Sequence, residues 1–130
     1  MPTEPSRRLP ELDTLRMRVA LAGLQLVREP LPCYKVFYRI NLLNNGVGSV
    51  RLLGRKWRLQ DACGQVRIIE AAGVFNSEPV LPPGAVFSFS GGHCFEKPPV
   101  YLGLSLFGQA RGGIPFMTPP LEIPLAAPAE

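Results

Sequence analysis

Fifteen prolines are scattered through 130 residues, more than twice the usual share of roughly 5%. Each lacks an N–H donor and clashes with the preceding turn of a helix, so this spacing leaves little room for long helices. What fits between the prolines is a series of short extended segments. The apolar content of 46% is ordinary and the charged content of 18% modest, a composition that builds a core and does not describe a disordered chain. A single domain of this length buries roughly two-thirds of the surface that its unfolded chain exposes. The longest stretch free of Lys, Arg, Asp and Glu runs from Pro79 to Phe95. It is broken by Pro82, Pro83, Gly84, Gly91 and Gly92, which excludes a transmembrane helix.

Extended segments announce themselves by alternation. Leu15-Arg16-Met17-Arg18-Val19 is strictly apolar and basic in turn, the period of a half-buried strand. Ala20, Leu21 and Ala22 favour a helix there, but a helical Gly23 would cost about 1 kcal/mol, so strand is expected, with a bulge at Gly23. Tyr34, Val36, Tyr38, Ile40 and Leu42 define one face of the clearest strand, with Lys35, Arg39 and Asn41 on the other. Asn44-Asn45-Gly46 tolerates positive φ and is expected to close a hairpin onto a strand from Val50 to Gln60, with a second bulge at Gly54. Asp61 to Gly64 turns the chain into Val66 to Glu70. Residues 71–84 read as a loop closed by Pro82-Pro83-Gly84. Ala85 to Ser90, Val100 to Phe107 and Ile114 to Ile123 complete a set of seven short strands, separated by Gly91-Gly92, Lys97-Pro98-Pro99 and Arg111-Gly112-Gly113. Seven such strands predict an all-β antiparallel β-sandwich over residues 14–125, with a disordered lead-in over 1–13 and a frayed tail over 126–130.

The side chains that could do chemistry are few. Cys33, Cys63 and Cys94 match no zinc-ligand spacing and read as reduced thiols of a cytosolic protein. Arg16 and Arg18 ahead of Val19 to Val27 resemble the start of a signal peptide, but Gln25 and Arg28-Glu29-Pro30 interrupt it and no cleavage site follows. A cytoplasmic location is expected. His93 and Cys94 are the only nucleophile-like neighbours, and on a strand they would point to opposite faces. No catalytic residue, metal site or cofactor is expected.

Charge is uneven. Residues 31–70 hold seven basic and two acidic residues, a net of +5, whereas residues 71–130 hold two basic and four acidic, a net of −2. Arg55-Lys56-Trp57-Arg58 sets cations around an aromatic, as in single-strand nucleic-acid binders. Trp57, the only tryptophan, is better read as core, leaving Lys56 and Arg58 as a solvated face, so nucleic acid is not the expected partner.

With the strands in place, several runs resemble one family. Leu52-Leu53-Gly54-Arg55-Lys56-Trp57 follows the tyrosine-rich strand. Pro79-Val80-Leu81-Pro82-Pro83-Gly84, Phe89-Ser90-Gly91-Gly92 and the run from Ile114-Pro115-Phe116 to Leu125 come after it in order. Together they resemble the ApaG family over roughly residues 14–125. The resemblance implies a fibronectin-III-like sandwich and no defined reaction. It also implies kinship with domains of an F-box protein and a polymerase-delta-interacting protein that look like partner-binding modules, and with bacterial members linked to cobalt and low-magnesium tolerance. A GxGxxG motif common in the family would fall on Ala71, Ala72, Gly73, Val74, Phe75 and Asn76, where only the middle glycine remains. Outside a βαβ unit that is no phosphate cradle.

The expected function is therefore a non-catalytic interaction module that binds a protein partner. Its candidate contact residues are Arg55, Lys56, Arg58 and Arg67 on a basic sheet face and Gly73, Val74, Phe75 and Asn76 in the 71–84 loop. Val80, Leu81, Phe95 and Pro98-Pro99 extend that patch, although loop anchoring explains each of them too. A small-ligand binder for a polyphosphate, nucleotide or phosphate–metal complex is the alternative, and it requires Arg55, Lys56, Arg58 and Arg67 to converge on one concave spot. No membrane contact is expected. Self-association through an open edge strand is a further option.

Overall fold

Nine strands build the domain in a computed structural model that describes residues 14–74 and 77–125. In chain order they are β1 (Leu15–Val27), β2 (Cys33–Asn44), β3 (Val50–Asp61), β4 (Val66–Ala72), β5 (Val80–Leu81), β6 (Val86–Phe95), β7 (Pro99–Ala110), β8 (Ile114–Met117) and β9 (Leu121–Glu122). One antiparallel sheet has the order β1-β2-β6. The other has the order β4-β3-β7-β8, with β5 also paired to β3 and β9 to β7. The all-β sandwich expected from the sequence is present. The lead-in 1–13, Phe75, Asn76 and the tail 126–130 lie outside the described residues.

The core is the space between the sheets, filled by alternate residues. Val36, Tyr38, Ile40 and Leu42 of β2 are buried there against Trp57 and Leu59 of β3 and Leu102, Leu104 and Leu106 of β7. Arg16 and Arg18 of β1 stay exposed, as their alternation requires. The β1 bulge lies between Val19 and Leu21 rather than at Gly23. One extra residue at Ala20 brings Ala22 and Leu24 into register with Tyr38 and Val36, so both turn toward the core. Gly23 serves another purpose. It sits opposite Phe37, whose ring occupies the space that a Cβ would need. Cross-strand aromatics protect sheet glycines in this way. The Gly54 bulge falls where the sequence puts it, between Leu52 and Gly54 against β7.

Three further expectations need correction. First, Asn44-Asn45-Gly46 does not close a hairpin, because β2 and β3 belong to different sheets. Asn44 is fully buried and pins an arch between them. Its Nδ2 donates to the carbonyls of Gly48 at 2.9 Å and Leu81 at 2.8 Å, and its Oδ1 accepts from the Gly46 N–H at 3.0 Å. Second, Gly91-Gly92 is not a turn. β6 runs straight through it in register with Tyr38 and Phe37. A Cβ on Gly92 would lie 2.7 Å from the Val36 carbonyl oxygen, so the pair permits close approach within the sheet. Third, the strand count rises from seven to nine. β5 emerges inside the 71–84 loop, and Pro119-Pro120 splits the last segment into β8 and β9 because proline cannot donate to a ladder. Thr118 bridges the split, its Oγ1 accepting from the Leu106 N–H at 2.9 Å and its own N–H reaching the Leu106 carbonyl at 2.8 Å.

Candidate functional site

Trp57 divides the basic run around it. Its ring is turned inward, 4.8 Å from Tyr38 and 4.5 Å from His93 between centroids. Residues one step away on a strand face the other side, so Lys56 and Arg58 point outward. The pairing of β3 with β4 extends both faces, since directly opposed residues share one. Arg55 opposes Ala71, Trp57 opposes Ile69 and Leu59 opposes Arg67 on the inner face. Lys56 opposes Glu70 and Arg58 opposes Ile68 on the outer one. The four cations are thus shared two and two between opposite sides of one ribbon. They do not converge, and the ligand reading loses the concave spot that it required of them.

On the inner side both arginines are tied to backbone. Arg55 donates through Nη1 to the carbonyls of Ala72 at 3.1 Å and Gly73 at 2.9 Å. Arg67 donates through Nη2 to the Cys94 carbonyl at 3.0 Å, its guanidinium 5.3 Å from the centroid of the Phe95 ring. Arg55 therefore clamps β3 to the start of the 71–84 loop, and Arg67 clamps β4 to β6 across the gap between the sheets.

The outer side is uncovered. Val66 is 40% exposed, Ile68 49% and Val80, paired with Arg51, 58%. Among them lie Lys56 and Arg58. The Lys56 Nζ is 3.9 Å from Glu70 and Arg51 pairs with Glu78 at 2.9 Å, whereas Arg58 meets no carboxylate within 4.0 Å among the described residues. Sequence reading named the cations here but missed Val66 and Ile68. Their signal was available, because Ile69 inward beside Trp57 forces Ile68 outward.

The 71–84 loop is anchored at Gly73, Val74 and Leu81, while Ser77, Glu78, Val80 and Pro82 to Gly84 remain exposed. Gly73 takes φ +74°, and a Cβ there would approach the Ser77 carbonyl oxygen at 2.7 Å. Val74 is 0% exposed and exchanges backbone hydrogen bonds with Ser77. Buried side chains cannot meet a partner, so Gly73 and Val74 leave the contact surface, as do the buried Leu81 and Phe95. Strands flank the loop on both sides, and among its described residues there is no helix N-terminus to receive a phosphate.

His93 and Cys94 fall on opposite faces of β6, paired with inward Val36 and outward Lys35. Partial burial pushes the Cys33 thiol up, and the neighbouring Cys94 pushes it further against the pull of Lys35, the reverse of what a nucleophilic thiolate needs. Burial, then Arg67, then Arg55 hold the His93 imidazole at about 4. Burial likewise raises the Tyr38 phenol, opposed by Arg55. Among the described residues no cluster of three or more His, Cys, Asp or Glu is placed to hold a metal ion. No described helix is long and apolar enough to cross a membrane.

Similarity to known proteins agrees with this architecture. Proteins named ApaG match from Aromatoleum aromaticum, 37% identical over 65 residues (50% of this chain, 51% of that protein), and Azorhizobium caulinodans, 46% over 61 residues (47% of each). The Methylorubrum extorquens protein is 34% identical over 83 residues, 64% of each chain. The matches thus span from about half to just under two-thirds of these relatives' length. A Northeast Structural Genomics Consortium X-ray structure superposes with a TM-score of 0.75 at 21% identity, covering 87% of this chain and 88% of the other. A Bordetella pertussis crystal structure described as ApaA gives 0.70 at 22% identity, covering 89% and 94%; at such identities the likeness is one of fold. The ApaG domain model matches residues 28–103, a span that takes in the tyrosine-rich strand, the divided basic ribbon and the anchored loop, and the chain belongs to the ApaG domain family.

Proposed function

We propose that this ApaG domain is a non-catalytic, cytoplasmic interaction module of the fibronectin-III-like kind, which binds a protein partner on the outer face of the β3–β4 ribbon. The observation that carries the reading is the uncovered mixture on that face, Ile68 and Val66 beside Arg58 and Lys56. Isolated exposed aliphatics need no explanation, but aliphatics grouped around cations suit a docking surface. The excess of cations over carboxylates favours an acidic partner segment, because complementary charge speeds encounter and excludes wrong partners. Nucleic acid fits less well, since the aromatic of this run is turned inward and is not available for base stacking.

The test compares wild type with Arg58→Glu and Ile68→Asp, both exposed changes that leave the core alone. Immobilised proteins are incubated with cell lysate, and captured proteins are quantified by mass spectrometry. A captured protein is then purified and titrated into isotope-labelled domain. The expected result is a partner with an acidic docking segment. It should bind wild type at least tenfold more tightly than either variant and shift the amides of Lys56 to Arg58 and Val66 to Ile68. Equal binding by all three proteins, or shifts confined to another face, overturns the proposal. RNA or a second copy of the chain as the only species that shifts these amides would replace it.

A further inference from the structure

The same ribbon borders a second feature on its inner side. Between β3–β4 and β6 lies a cleft of about 230 Å³ lined by Tyr38, Arg55, Trp57, Phe89, Ser90 and His93, together with Ile69 and the Gly91-Gly92 backbone. The glycines put no side chain into its mouth. A Cβ at Gly91 would lie 2.5 Å from the Tyr38 hydroxyl oxygen.

The electrostatics of this cleft are unbalanced. Among the described residues none that lines it is a carboxylate. Arg55 is held by carbonyl oxygens, which orient it without cancelling its charge. Arg67, nearby on β4, is likewise held by a carbonyl and an aromatic face. Neither arginine approaches a carboxylate within 4.0 Å among the described residues, where the ion pairs are Arg51–Glu78 and Lys56–Glu70. His93 completes the imbalance. Its Nε2 is buried and has no hydrogen-bond partner among the described residues, a rare condition in folded proteins and one that asks for an explanation. The groups facing the imidazole from the packed elements are Tyr38 of β2, Arg55 of β3 and Arg67 of β4, and none can supply a negative charge at neutral pH.

We propose that this cleft binds a small oxyanion headgroup, a single carboxylate or phosphate, on Arg55 and beside the His93 ring. Such a group would supply the negative charge that this cleft lacks. An arginine has five N–H donors in a fixed fork, so Arg55 retains donors after serving two carbonyls. An oxyanion beside the His93 ring offsets the positive field that the two arginines set up there, with no direct bond to the enclosed Nε2 required. The aromatic walls of Tyr38, Trp57 and Phe89 lower the local dielectric and strengthen both effects. Size sets the limit. Small-molecule pockets usually begin near 300 Å³, so this one accommodates a headgroup and not a whole nucleotide. The site differs from the outer docking face and does not depend on it.

Coupling to protons follows from the arrangement. Two arginines disfavour the imidazolium, and a bound anion reverses that field. Anion binding should therefore raise the His93 pKa, and by linkage anion affinity should rise as pH falls. The test follows the His93 ring carbon and proton resonances against pH, in sodium chloride and then with sodium phosphate or sodium acetate at equal ionic strength. The expected result is a His93 midpoint near 4 in chloride that rises saturably by about one unit or more, a tenfold gain in proton affinity. Phosphate alone, acetate alone or both identify which headgroup is taken. Arg55→Gln should abolish the rise, and because that change also loosens the loop, Arg67→Gln provides a second variant that should reduce it. The outer-face Arg58→Gln should retain it. A midpoint unmoved by either anion, or an equal rise in Arg55→Gln, Arg67→Gln and Arg58→Gln, overturns the proposal.

Discussion

The two faces of the β3–β4 ribbon are drawn from adjacent residues, yet they are held in unlike ways. Inside, Trp57 is 2% exposed and flanked by Tyr38 and His93, and the arginines beside it are fixed to carbonyls of Ala72, Gly73 and Cys94. Outside, Arg58 and Ile68 are exposed, and Lys56 reaches Glu70 only at 3.9 Å. What looks like one basic cluster in the linear sequence is two environments in the sheet. The contacts that hold the fold lie mainly on the inner face, and the outer face adds only exposed ion pairs.

That division is broken most severely at Trp57. Replacing it by alanine removes the largest buried side chain and its contacts with both sheets, a change that typically costs 3–5 kcal/mol. Trp57→Ala should therefore lose about 4 kcal/mol in urea unfolding, whereas Arg58→Ala, one residue away, should stay within about 0.5 kcal/mol, as exposed substitutions do. Comparable losses for the two would mean that alternation does not separate the faces.

How much of this was legible depended on whether the signal was local. Strand alternation in Tyr34 to Leu42 and the burial of Trp57 could be read directly, because a period of two records the face of each residue. The same parity held more than was taken from it. If Trp57 is inside, Arg55 two residues earlier is inside too, and grouping all four cations on one face contradicts the pleat. Sheet membership was not legible. The Asn44 side chain turns an apparent hairpin into an arch by bonding Leu81, 37 residues away, and nothing within the Asn44-Asn45-Gly46 run records that contact. Nor did Gly91-Gly92 reveal its role, since a glycine pair in a turn and one under a neighbouring strand look alike without the tertiary partner. The inner cleft depends on β6 facing β3 and β4, a juxtaposition of the same long-range kind.

Acidity offers a sharper probe of the inner face alone. Burial, Arg67 and Arg55 hold His93 at about 4, below its ordinary 6.5. Between those values the unfolded chain binds a proton that the folded chain does not, so stability falls as pH drops from 6.5 toward 4 and is fully restored above 6.5. A full one-proton difference is worth about 1.4 kcal/mol per pH unit, and the partly exposed imidazole should show only a portion of that. His93→Phe, which keeps a ring beside Tyr38 and Trp57, should flatten the wild-type slope over this window in chloride buffer. Parallel curves would show that the imidazole is solvated in the folded protein and that the inner face is more open than its contacts imply.

The finest comparison sets Arg55 against its neighbour Lys56. Arg55→Ala leaves the carbonyls of Ala72 and Gly73 without their charged donor, and hydrogen bonds of that kind contribute roughly 1.5–3 kcal/mol when intact. Water can replace part of the loss at a half-buried site, so about 1–2 kcal/mol is expected. The effect should be focused on the loop start, with faster hydrogen exchange at the Gly73 and Val74 amides, which bond Leu53 and Ser77. Lys56→Ala removes only an exposed, long ion pair, a class whose contribution is about 0–1 kcal/mol and is screened by salt. It should leave those amides unchanged, and its small cost should vanish in high salt. If Lys56→Ala instead accelerated exchange at Gly73 and Val74 as strongly as Arg55→Ala, the loop would be held by the charge of the whole run and not by one directed guanidinium, and the separation of the two faces would fail where it is most finely drawn.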